Sequence, residues 1–136
     1  MSWYDVTVDQ LKASREAELL PPGEYNAELF SISVNPQSDR MLLKFRILDE
    51  PYADVVRSGS IPPSNSKWGQ IAFNRLLDAI GMYPAPDEPM VEFFNRVNEA
   101  RPIVRITIQH REFDGRKRDE VSAFGYRRYR EDARAT

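Results

Sequence analysis

Residues 101–130 read RPIVRITIQHREFDGRKRDEVSAFGYRRYR, two alternating runs of β-branched and aromatic residues around Asp114-Gly115. That pair suits a two-residue type I′ turn, whose central residues both take positive φ, so the stretch predicts a long β-hairpin. Such a turn also sets the register. Phe113 falls opposite Arg116, Arg111 opposite Arg118, Gln109 opposite Glu120, Thr107 opposite Ser122, Arg105 opposite Phe124 and Ile103 opposite Tyr126, all on one face. The alternate rungs, His110 with Asp119, Ile108 with Val121, Ile106 with Ala123 and Val104 with Gly125, make the other face apolar at its centre. One side is therefore expected in the core, and the other carries arginines, hydroxyls and two aromatic rings.

Upstream of Pro102 the apolar period changes from two to helical spacing. Met90, Phe93, Phe94 and Val97 predict a short helix. Before it, Trp68, Ile71, Ala72, Leu76, Ala79 and Ile80 predict a longer one, capped by Ser66 and stopped by Gly81. Three strands are expected earlier. The first, from Glu24 to Val34, changes apolar parity near Leu29-Phe30 and so calls for a bulge or bend. The second, Arg40 to Leu48, alternates cleanly, with Leu42, Lys44 and Arg46 on its outer parity. The third, around Val55 to Ile61, is weakened by Gly59 and followed by Pro62-Pro63. Thr7 and Gln10 have capping-box spacing, so a short N-terminal helix should begin near Val8 and end before Pro21.

Three strands, helices and a closing hairpin make a mainly β chain. The layout predicts one OB-fold domain over residues 1–136: a five-stranded barrel with a helical insertion between strands 3 and 4, an N-terminal arm and helix over 1–21, and a short flexible tail at 131–136. The chain has no cysteine, which removes disulfides and thiolate chemistry and fits a cytoplasmic setting. It lacks a secretory leader pattern and any apolar run near the roughly 20 residues that span a bilayer, so no membrane partner is expected. The net charge of -2 conceals a division: residues 1–100 hold 9 Lys and Arg against 15 Asp and Glu, whereas 101–136 hold 10 against 6. Basic charge thus gathers on the hairpin, where a local field draws anions.

Enzymatic chemistry finds little support. The single histidine, His110, faces Asp119 with no nucleophile or second base beside it, which suits a structural pair. Asp49, Glu50 and Asp54 match no known calcium loop, and glycine-rich phosphate loops are absent, so no metal, cofactor or catalytic residue is expected. The wet face of the hairpin says more. Flat rings beside cations are what single-stranded nucleic acid requires, each stacked base contributing about 1–3 kcal/mol while the cations follow the phosphates. The candidates are Arg105, Arg111, Arg116, Lys117, Arg118, Phe124, Tyr126 and Arg128, extended by Lys44, Arg46 and Trp68. Simpler uses exist for several of them. Arg105 on Phe124 is a stabilising cation–π pair by itself, the N-terminal segment is able to cover either ring, and Trp68 opens an apolar stripe that leads to the core.

The runs LPPGEYNAELFSISVNP from Leu20, MLLKFRILDEPYADV from Met41, WGQIAFNRLLDAIGMYP from Trp68 and FFNRVNEARPIVRITIQHREFDGRKRDEVSAFGYR from Phe93 resemble the small phage-encoded OB-fold proteins thought to bind single-stranded DNA in replication and recombination. The resemblance covers most of the chain. It implies a non-enzymatic protein that protects or organises single-stranded DNA without sequence preference, with Arg105, Arg111, Phe124 and Tyr126 meeting the strand. Phage or host replication and recombination proteins and a second copy of the chain are further partners it allows, and DNA is not distinguished from RNA. Where many single-strand-binding proteins carry an acidic recruiting tail, this chain reads RYREDARAT. The alternatives are a phage protein-interaction module on the same barrel and, behind it, a small metal-dependent nuclease.

Overall fold

A computed structural model of the chain describes residues 2–129; Arg130 and the expected tail at 131–136 lie outside them. After a 3-10 turn at Trp3–Asp5 come α1 (Val8–Ala17), β1 (Gly23–Val34), β2 (Met41–Ile47), β3 (Val56–Ile61), α2 (Lys67–Ile80), α3 (Met90–Ala100), β4 (Ile103–Phe113), β5 (Arg116–Val121) and β6 (Arg127–Arg128). The strands form one antiparallel sheet in the order β3-β2-β1-β4-β5, with β6 alongside β4.

Local sequence explains most of these elements. Thr7 and Gln10 cap α1 reciprocally, backbone to side chain, at 2.9 and 3.1 Å. Ser66 accepts from the Gly69 N–H at the start of α2, and Gly81 ends that helix in the left-handed conformation. The parity change in β1 is a bulge: Leu29 faces Phe45, but Ser31 faces Lys44. Past this bulge β1 leaves β4, and Asn98 of α3 takes over the vacated ladder position. Its side chain accepts from the Ile32 N–H at 2.8 Å and donates to the Ile32 carbonyl at 3.2 Å.

The inner sheet face is apolar as expected. Val104, Ile106, Ile108 and Val121 of the hairpin join Ala27, Leu29, Leu43, Phe45 and Ile47, and α2 and α3 cover them with Ala72, Leu76, Phe93 and Val97, all buried.

Two expectations are corrected. The hairpin keeps its register from Phe113↔Arg116 to Ile108↔Val121, with Asp114 and Gly115 at φ 52° and 74°. It then breaks. Pairing resumes as β6, where Val104 faces Arg128 rather than Gly125, a shift of three residues. The cause is a turn over residues 122–125 packed against Thr107. The Thr107 hydroxyl donates to the Gly125 carbonyl at 2.9 Å, and a Cβ on Gly125 would lie 2.6 Å from the Thr107 Cβ. The second correction concerns closure. Among the described residues β3 and β5 share no ladder, so the sheet is open along that seam. Side chains span it instead: Arg57 of β3 pairs with Asp119 of β5 at 2.9 Å.

That pair also holds the N-terminal segment. Asp119 accepts from the Leu20 N–H at 2.7 Å, Arg57 donates to the Glu18 carbonyl at 2.7 Å, and the His110 ring donates to the Leu20 carbonyl at 2.6 Å. Leu20 is thereby seated in the core with no exposure. His110 and Asp119 do face each other as the turn dictates, and both are spent on this strap.

Candidate nucleic-acid interface

The outer faces of the two half-sheets meet at the open seam and leave a groove of about 410 Å³. One wall is Arg40, Leu42, Ser58 and Ser60 from the β2–β3 side; the other is Gln109, Arg111, Glu120 and Ser122 of the hairpin, with Phe124 at one end. Parity puts them there. Leu42 pairs with Ser60 and Lys44 with Ser58, so the polar outer rungs of β2 and β3 run along one wall. Gln109 pairs with Glu120 and Arg111 with Arg118 on the other.

Phe124 sits on the loop that the register break creates, 39% exposed. The Trp68 ring stands edge-on to it at 6.1 Å, and the Arg75 guanidinium lies 5.8 Å from its centroid. Trp68 is 62% exposed, so the core placement that its apolar stripe suggests does not hold. It projects from the first turn of α2 and stays at the rim with Phe124. Tyr126 goes the opposite way. The three extra residues turn it inward, where it is 6% exposed and its ring lies 5.8 Å from that of Phe45. Among the described residues its buried hydroxyl finds no hydrogen-bond partner, and burial pushes its pKa well above the usual tyrosine value. It is a core residue, not a ring on the wet face.

The structure disperses the remaining candidates. Arg111 stands opposite Arg118 as expected, but the protein relieves the repulsion itself: Arg111 reaches Glu120 at 3.2 Å, and Arg118 leans over the Phe113 ring at 6.0 Å. Gln109 donates to the same Glu120 at 2.7 Å, so one acid in the groove is already held by two neighbours. Arg116 and Lys117 are exposed at the hairpin tip. Lys44 is exposed across from the groove-lining Ser58, and Arg46, one rung on, lies over Phe30 at 5.1 Å. Arg105 pairs with Glu24 at 3.1 Å instead of stacking on Phe124, and Arg128 donates to the Asp78 carbonyl at 3.0 Å. Both lie away from the groove.

Two residues of this region escaped sequence reasoning. Arg40, the first residue of the expected second strand, continues the outer parity of Lys44 and Arg46, a signal that reading this parity back to the strand's start would have caught. Arg75 follows Trp68 by seven positions, two helical turns on the same face. Among the described residues no three His, Asp or Glu side chains converge to hold a metal ion. Asp49 instead accepts from the backbone and side-chain nitrogens of the buried Asn26 at 2.8 and 3.2 Å. No described helix is long and apolar enough to cross a membrane. No protein-family model matches the chain, and no curated protein matches it in sequence.

Proposed function

We propose that the chain is an OB-fold single-stranded-DNA-binding protein, non-enzymatic and largely indifferent to sequence, which protects or organises DNA as the phage replication and recombination proteins it resembles are thought to do. The strand order and the helices inserted between β3 and β4 support the OB assignment, since this fold is a partly open five-stranded barrel that takes oligonucleotides across strands 2 and 3 and the loops beside them. The observation that carries the function is the groove. It joins polar strand faces and the guanidinium groups of Arg40 and Arg111 to an exposed aromatic pair, Phe124 and Trp68. Exposed rings beside cations provide base stacking and phosphate attraction at once.

Titration of a labelled oligothymidine at several salt concentrations tests it. Binding should weaken with salt, log K falling by about 0.7 per phosphate neutralised. Undetectable binding at low salt refutes the function, and cleavage of the strand that EDTA abolishes refutes the absence of nuclease chemistry.

One observation favours the second reading, a protein-interaction module. Trp3 and Tyr4 are 82% and 99% exposed, and Val8 and Leu11 of α1 are exposed beside them. If no oligonucleotide binds, that arm is the surface to examine, by comparing the sedimentation of the wild-type chain and a Trp3→Ser, Tyr4→Ser variant.

A further inference from the structure

A second basic site lies beyond Phe124. Arg105, Arg127 and Arg128 line a cavity of about 290 Å³ with Glu24, which both Arg105 and Arg127 reach at 3.1 Å. Two guanidinium groups thus share one carboxylate, and the third, of Arg128, donates to the Asp78 carbonyl. On the other side of the same two β6 arginines, Arg75 and Asp78 line an adjoining cavity. Across both cavities four arginines meet two acids, and the Asp78 carboxylate already accepts from the Tyr83 hydroxyl at 2.7 Å. The register break builds this arrangement, because it sets Arg127 directly opposite Arg105 and turns Arg128 toward α2. Like charges placed opposite each other destabilise a sheet unless an anion joins them, and here the single Glu24 carboxylate joins the facing Arg105 and Arg127.

The two sites are connected. Arg75 lies over Phe124, at the end of the groove, and also lines the cavity shared with Arg127 and Arg128. We infer that a bound strand does not end in the groove but passes over Arg75 into the cradle of Arg105, Arg127 and Arg128, which takes backbone phosphates. This rests on the single-stranded-DNA reading and adds Arg75 and Arg127 to the binding surface. From Arg111 to Arg105 the outer face of β4 spans about 20 Å at about 3.3 Å per residue, so a short oligonucleotide in the groove would not reach the cradle and a long one would.

The test compares oligothymidines of about 4 and about 16 nucleotides, the ends of the range that single OB domains occupy. The wild-type chain should bind the longer one more tightly. The Arg105→Gln, Arg127→Gln variant, which changes two cradle residues that do not line the groove, should bind the shorter one within about twofold of wild type but lose most of the gain in affinity with length. Its salt slope on the longer strand should be shallower by about 1.4, two contacts at about 0.7 each. Should the double variant unfold, Arg127→Gln alone serves, since that side chain is 71% exposed. Lys12→Gln, an exposed charge on α1, controls for overall charge.

Unchanged binding of both lengths by the arginine variant overturns the inference, as does an equal loss on both lengths or a loss that Lys12→Gln reproduces. If the wild-type chain binds neither length, it is the proposed function that fails, and this inference with it.

Discussion

Phe124 and Tyr126 are two residues apart and would share a face in an unbroken hairpin, so truncating each should give opposite results. Tyr126→Ala empties a site that is 6% exposed and in contact with Phe45. Large aromatic truncations in a core cost about 3–5 kcal/mol. Tyr126→Phe keeps the ring and removes a buried hydroxyl that has no partner among the described residues, which should stabilise the fold by about 1–3 kcal/mol, the usual penalty for an unsatisfied group. Phe124→Ala loses the edge contact with Trp68, about 0.5–1.5 kcal/mol, and the Arg75 cation–π contact, about 0.5–1 kcal/mol, with no cavity to add. Its main effect should fall on binding: a lost stacking partner costs about 1–3 kcal/mol, or about 5- to 150-fold in Kd. Urea denaturation and oligothymidine titration of the three variants measure both quantities. A Tyr126→Phe variant less stable than wild type would show that the hydroxyl is bonded. A Phe124→Ala variant less stable than Tyr126→Ala would put the register break itself in the wrong place.

Three further outcomes follow from other parts of the fold. Asp119→Asn should cost about 3 kcal/mol in urea denaturation, because it strips the charge partner from Arg57, whose side chain is only 14% exposed; an unchanged midpoint would mean that the clamp contributes nothing. Gly125→Ala should destabilise by about 1–3 kcal/mol through overpacking against Thr107, and wild-type stability would show that the 122–125 turn has room to move. Arg96 and the Ala85 N–H hold the Glu88 carboxyl at about 2, below its ordinary 4.5, so its contribution is present above pH 4.5 and is lost as pH falls toward 2. The midpoint difference between wild type and Glu88→Gln should close over that window, and a gap independent of pH would contradict the assignment.

The legible parts of the chain were those decided within a few residues. Asp114-Gly115 specifies its own turn, and with it every rung as far as Ile108 and Val121. The caps at Thr7 and Ser66 and the parity change at Leu29-Phe30 are likewise local. The break after Val121 is not. It depends on Thr107, 18 residues from Gly125, offering both a hydroxyl and a close surface, and alternation alone cannot report that. Trp68 was obscured for a related reason: its position on the apolar stripe does not report that its ring stays exposed beside Phe124, on a loop that the break creates. Arg57 reads as an ordinary strand arginine until β5 brings Asp119 to it across the seam. Of the candidate site, Arg111 reached the groove on hairpin parity; Phe124, Tyr126 and Arg105 have their expected register beyond the break, which brings Phe124 to the groove by the 122–125 turn and takes the other two away from it.

The open seam ties the fold to the site. A ladder between β3 and β5 would draw the strands to about 4.8 Å and merge the two walls that now bound the groove. What keeps the inside sealed without that ladder is packing at Gly59. A Cβ there would meet the Phe45 ring and the Tyr126 hydroxyl at 3.2 Å each and the Val121 Cβ at 3.5 Å, so β3 rests directly on the side chains behind the seam. Tyr126 reaches that position only because three residues were added after the β5 ladder ended. The same addition carries Phe124 outward to the groove and sets Arg127 and Arg128 against β4. One local break therefore fills the inner side of the seam, equips its outer side with an exposed ring, and builds the cationic cradle beyond it. Restoring the continuous register would cost the chain all three at once.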